Sequence, residues 1–209
     1  MEPLPRGLNR MAFGTLRYTK CVVIVHGKSE LLFVKYIYTN LHLPVKIIAK
    51  SNGRNSIQIG GLLDFMKRGA FKNLEAFAEE YAIEYDRKNK CLKNFKLFTI
   101  MDTDDCDENT RDRYITGELF QGHMLEKYIV PIYNICNLED VMIKAKIMVH
   151  KISDSDKGKH YTRIFPINKK PVSYDTIEEV RTFAKRIENI QQTNMTEFIN
   201  YCVSQLEVL

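Results

Sequence analysis

The chain alternates short, fully apolar runs with longer segments whose apolar residues recur at helical spacing. "CVVIV" (21–25) is apolar and β-branched nearly throughout, the pattern of a strand buried on both faces of a parallel sheet. His26-Gly27 ends it, and Ser29 stands where a helix N-cap belongs. Leu32, Phe33, Tyr36, Ile37 and Leu41 then recur at helical spacing over 30–41. "VKIIA" (45–49) is a second strand, so these elements form a βαβ unit whose crossover is expected to be right-handed. The polar turn 50–61 runs into a helix over 62–68, and "NLEAFAEEYAIEYD" predicts another over 73–86. "FKLFTIM" (95–101) is the next buried strand, and a helix follows over about 108–120. "YIVPIYNIC" (128–136) is a strand whose Pro131 points to an edge or a bulge. Residues 137–149, 175–190 and 195–206 carry helical patterns.

This order predicts an α/β fold, a mostly parallel, Rossmann-related sheet flanked by helices, with a helical C-terminal extension. It divides the chain into an N-terminal arm (1–19), an α/β domain (20–148), and a basic loop with C-terminal helices (149–209). A hydrophobic content of 44% with 27% charged residues excludes a disordered chain. No apolar stretch approaches the ~18–20 residues of a membrane span, and the first twenty residues lack the apolar core of a signal peptide. The five cysteines are scattered without metal-type spacing, which reads as reduced thiols and argues against a structural zinc. A cytoplasmic protein with no membrane partner is the expectation.

The chemistry concentrates in "FTIMDTDDCDEN" (98–109), where five acids fall within seven positions: Asp102, Asp104, Asp105, Asp107 and Glu108. Carboxylates this crowded repel unless water or a cation lies among them. In open α/β sheets, ligands bind beyond the carboxyl ends of the strands. His26-Gly27 and Asp102-Thr-Asp104 both follow such ends and should face each other at one sheet edge. Glycine at 27 would allow a sharp turn, and Glu30 can point back from the first helical turn toward the acids. Two carboxylates one residue apart suit a hard cation such as Mg²⁺, whose remaining waters a phosphate can replace. The bland alternative is a solvated acidic loop. The net charge of +5 is modest, but eight bases cluster over 144–170, among them Lys157, Lys159, Arg163 and Lys170. Such a cluster suits a polyanion or a solvated surface.

"VVIVHGKSELLFVKYI" followed by "LFTIMDTDD" resembles the TOPRIM fold of topoisomerases, primases, and old-family and related nucleases. That pattern is a strand ending in Glu-Gly, often with an acid three residues after the glycine, and a later strand ending in Asp-x-Asp. The resemblance covers about 20–148 and implies a Mg²⁺- or Mn²⁺-dependent phosphoryl-transfer site with Asp102 and Asp104 as metal ligands. "NLED" (137–140) resembles the acidic position after the fourth strand of the nucleases, which adds Glu139 or Asp140. This chain departs at position 26, where His26 replaces the glutamate. Glu30 can supply the missing carboxylate, His26 can itself transfer protons, or the site can be degenerate.

The resemblance thus implies a metal-dependent nuclease acting on DNA or RNA, with a role in antiviral defence compatible with it. Lys28, Arg54, Lys157, Lys159, Arg163 and Lys170 are the candidate phosphate contacts. No G-x-x-x-x-G-K-[ST] occurs, so any coupling to nucleotide hydrolysis needs a separate ATPase partner. The oligomeric state is open, a homo-oligomer included. The rival reading is a catalytically degenerate TOPRIM module that binds nucleic acid or a protein partner without cutting.

Overall fold

The computed structural model describes residues 18–153, 156–167 and 172–207. Most of the expected N-terminal arm and Lys170 lie outside the described residues. Four strands, β1 (Cys21–Val25), β2 (Val45–Ile48), β5 (Lys96–Asp102) and β6 (Ile129–Asn134), form an all-parallel sheet in the order β2-β1-β5-β6. Between β2 and β5 lies a small antiparallel hairpin, β3 (Tyr85–Asp86) and β4 (Cys91–Leu92).

Successive residues of β1 point to opposite faces, and both faces are covered. Val23 and Val25 join one core, and Val22 and Ile24 the other. The first core is built with α1 (Lys28–Asn40), α5 (Leu138–Lys144), α6 (Lys157–Ile164), α7 (Tyr174–Ile187) and α8 (Met195–Glu207). The second takes α2 (Ile59–Phe65), α3 (Leu74–Glu80) and α4 (Glu108–Ile115). The result is a three-layer α/β fold in which the C-terminal helices share a core with the sheet. Among the described residues, no helix is long and apolar enough to cross a membrane.

Several elements depart from the sequence pattern. The helix expected over 73–86 stops at Glu80, because Ala82 adopts a left-handed backbone (φ 53°) and the chain turns into β3. The one expected over 137–149 stops at Lys144, ahead of Lys146 at φ 56°. Within the expected basic loop, α6 is a helix that buries Tyr161 completely. Phe165, just past its end, packs on Phe33 and Tyr36 of α1 with ring centroids 5.6 Å away in each case. Pro131 sits in β6, which is an edge strand as its proline requires.

The strand order positions the site. From β1 the chain steps outward to β2, then crosses back to β5 on the other side of β1. The order therefore reverses between β1 and β5, and the crevice beyond their carboxyl ends is where open α/β sheets bind ligands.

Candidate functional site

His26 extends β1 by one residue. Its N–H donates to Ile100 O at 2.8 Å, and its carbonyl accepts from Ile57 N at 2.9 Å, so both sides of its backbone are fixed. The imidazole Nδ1 lies 3.7 Å from Asp105 Oδ2. Gly27 is extended (φ −151°), and a Cβ there would meet only ordinary contacts, 3.5 Å from Glu30 Oε2 and 3.8 Å from Ser56 Oγ. The turn itself therefore does not require glycine, contrary to the expectation from sequence. Glu30, 1% exposed, reaches back from the first turn of α1 so that Gly27 N–H donates to its Oε2 at 2.9 Å. That is the glutamate half of a capping box. Glu30 thus secures the strand–helix joint while standing in the crevice.

Asp102 is the last residue of β5 and is buried. Its Oδ1 accepts from Asn134 Nδ2 at 3.0 Å and from Leu138 N, at the start of α5, at 3.1 Å. Asn134 is fully buried, and its Oδ1 accepts from Thr193 Oγ1 at 2.9 Å. Burial pushes the Asp102 carboxyl up to about 6, and Asp104 pushes the same way; the Asn134 and Leu138 hydrogen bonds and nearby His26 oppose it.

The acidic run divides its labour. Asp107 caps α4, accepting from Thr110 N at 3.0 Å, and Glu108 pairs with Arg111 at 3.0 Å. Asp105 turns toward His26. Burial raises its carboxyl as well, with His26 opposing the shift. Asp102 and Asp104 line an open cleft of about 580 Å³ together with His26, Lys28, Glu30 and Arg54. Six residues selected from the sequence thus share one cleft. Ser29, Ser56 and Asn137 add polar groups to its walls.

The cleft's basic side depends on one glycine. Ser51, Asn52 and Gly53 all adopt left-handed backbone (φ 50°, 55° and 78°). A Cβ on Gly53 would stand 3.0 Å from Lys28 Cα. The turn carrying Arg54 is thereby pressed directly onto the first turn of α1, and only glycine permits that approach.

The remaining candidates lie elsewhere. Glu139, in the first turn of α5, is buried and does not line this cleft, but its charge reaches the Tyr161 hydroxyl, as do those of Glu30 and Asp102. Burial holds the Tyr161 phenol far above its ordinary range, with the Ser29 side chain opposing. Tyr161 is a site neighbour that the sequence pattern does not reveal, because its basic segment carries the signature of a loop. Lys159 and Arg163 are exposed on α6. Arg163 borders a separate groove that also holds Asp175, Glu178 and Glu179. Lys157 begins α6, and the neighbouring Gly158 packs on the Lys28 amine: a Cβ there would lie 3.2 Å from Nζ.

Among the described residues, no three His, Cys, Asp or Glu side chains form a ready-made metal cage. Mg²⁺ needs none, since it is usually held through one or two carboxylates, its own waters and phosphate oxygens. Asp102 and Asp104, with Glu30 on the same walls, are all-oxygen donors of the kind that could hold such an ion. Comparisons with protein-family models, curated proteins and solved structures found no match to this chain.

Proposed function

We propose that the protein is a metal-dependent phosphodiesterase of TOPRIM type, a nuclease acting on DNA or RNA in the cytoplasm. One observation carries this reading: carboxylates, an imidazole and two bases share a single cleft at the point where the strand order reverses. Lys28 and Arg54 would hold the phosphate, with Arg54 suited to a two-point contact. Asp102 and Asp104 would hold Mg²⁺ or Mn²⁺, with Glu30 beside them; Glu139, which the resemblance adds, lies outside the cleft lining. When bound, the metal supplies polarisation of the phosphate and a more acidic attacking water. His26 and Glu30 are the groups placed to accept a proton from that water. Lys157, Lys159, Arg163 and Lys170 would follow the nucleic-acid backbone beyond the cleft. An effector role in defence, with a separate ATPase partner, is compatible with this chemistry.

The test is nicking of supercoiled plasmid and cleavage of structured RNA with Mg²⁺ or Mn²⁺, against an EDTA control and the Asp102→Asn/Asp104→Asn double variant. Metal-dependent cutting lost in the variant supports the reading. A second reading, a binding module that does not cut, is favoured by the Gly27 N–H bond that already engages Glu30. Salt-sensitive binding without cleavage under any metal would select it.

A further inference from the structure

We propose that Asp105 is a positioning residue that orients the His26 imidazole for proton transfer in the cleft that His26 lines. The inference rests on the nuclease reading above and names which of its groups moves the proton.

The geometry makes the case. His26 Nδ1 and both Asp105 carboxylate oxygens are buried, and His26 and Asp105 are not yet hydrogen-bonded to each other in this conformation, while the Ile59 backbone N–H lies near the Asp105 carboxylate. The two groups face each other at 3.7 Å, with side chains only 14% and 13% exposed. The 3.7 Å separation is a contact between opposite groups, longer than a hydrogen bond. Because the backbone N–H and carbonyl of His26 are both engaged, the ring has only its own two torsions to adjust. With Nδ1 turned to Asp105, Nε2 is the nitrogen left for the cleft that His26 lines. A carboxylate on Nδ1–H fixes the tautomer in which Nε2 can accept a proton. Glu30 is a weaker choice for this role, since its Oε2 already receives the Gly27 N–H.

In the hydrolytic step, the water oxygen bonds to phosphorus and the bond to the leaving sugar oxygen breaks. Nε2 takes the water proton and later releases it to solvent, while solvent protonates the leaving oxygen. Asp105 keeps its Nδ1–H partner throughout and does not touch the substrate.

The test reads orientation and rate separately. In metal-free, ¹⁵N-histidine-labelled protein, the His26 signals are assigned by their loss in His26→Gln. The wild type should show the Nδ1–H tautomer, and Asp105→Ala should shift His26 toward Nε2–H. Single-turnover cleavage with Mn²⁺ should fall about 10²-fold in Asp105→Ala with KM unchanged, and partly recover in Asp105→Glu. Should Asp105→Ala not fold, Asp105→Ser carries both measurements. An unchanged tautomer overturns the proposal, and so does a changed tautomer with wild-type cleavage. A wild type that cuts no substrate defeats the nuclease reading instead, and the tautomer then still decides whether Asp105 orients His26.

Discussion

Asn134 ends one strand and donates from Nδ2 to Asp102 Oδ1, which ends the next, at 3.0 Å. The Asp102 carboxylate that lines the cleft is therefore set by a neighbour outside it, and that neighbour is held by Thr193 between α7 and α8. Removing the amide should matter twice. Asn134→Ala should lower stability by about 1–3 kcal/mol by stranding buried polar groups. If the cleft holds metal as proposed, it should also weaken Mg²⁺ or Mn²⁺ binding roughly 10- to 100-fold, the usual effect of losing a ligand's supporting hydrogen bond. Thermal melts with and without metal measure both, and an unchanged metal response would separate Asn134 from the site.

Asp102 predicts a pH signature in metal-free protein. Its carboxyl is raised from 3.8 to about 6, so between those values the folded state binds more protons than the unfolded chain. Stability should then fall as pH rises from about 4 to 6, by at most about 3 kcal/mol, and level off above. Asp102→Asn keeps an acceptor for Asn134 and Leu138 but carries no charge. That variant should show a smaller decline, the part due to the raised Asp105 carboxyl remaining, and melt higher than wild type at pH 7. Urea unfolding in EDTA across this range checks the sign, and a wild-type curve rising through the window would refute it.

Gly53 should tolerate no side chain. Its left-handed φ of 78° and the 3.0 Å approach to Lys28 Cα mean that Gly53→Ala adds strain and a backbone clash. A loss of about 1–3 kcal/mol is expected. Nucleic-acid affinity should fall with it as Arg54 is displaced. Gly60, with nothing near its missing Cβ, is the control: Gly60→Ala should be neutral or mildly stabilising.

The bases should not be equivalent. Lys28→Ala/Arg54→Ala should weaken DNA binding and reduce its log–log salt slope by about 2, roughly 0.9 per phosphate contact on duplex DNA. Lys159→Ala/Arg163→Ala should do less, because Arg163 lies beside the Asp175, Glu178 and Glu179 carboxylates. Fluorescence anisotropy at several salt concentrations ranks the two pairs. A larger effect from the second pair would move the binding surface onto α6.

The sequence carried the sheet well, and for a physical reason. β1 and β5 are short, apolar and buried on both faces, so each residue reports its environment directly. The acidic motif after β5 was likewise legible, because a strand end fixes where its loop residues emerge. What stayed hidden depends on distant partners. α6 has eight residues, only two of them large and apolar, and is held by the packing of Tyr161 and Phe165 against α1. The early stop of α3 depends on a left-handed alanine, a conformation no local residue type announces. The pairing of His26 with Asp105 spans two loops, and the separate tasks of the five acids emerge only when their neighbours are known.

The antiparallel bridge between Asn134 and Thr193, with Ile135 N–H donating to Gln192 O at 2.7 Å, has a consequence for solubility. β6 is one of the sheet's two edge strands, and an open edge of unpaired backbone groups is a template for joining a second molecule. The segment between α7 and α8 occupies the last part of that edge, and Asn194 covers more of it by bonding Tyr133 N and Pro131 O, each at 2.9 Å. A chain cut before α7 would bare this edge along with the apolar face that α7 and α8 cover, and it should associate edge to edge and precipitate.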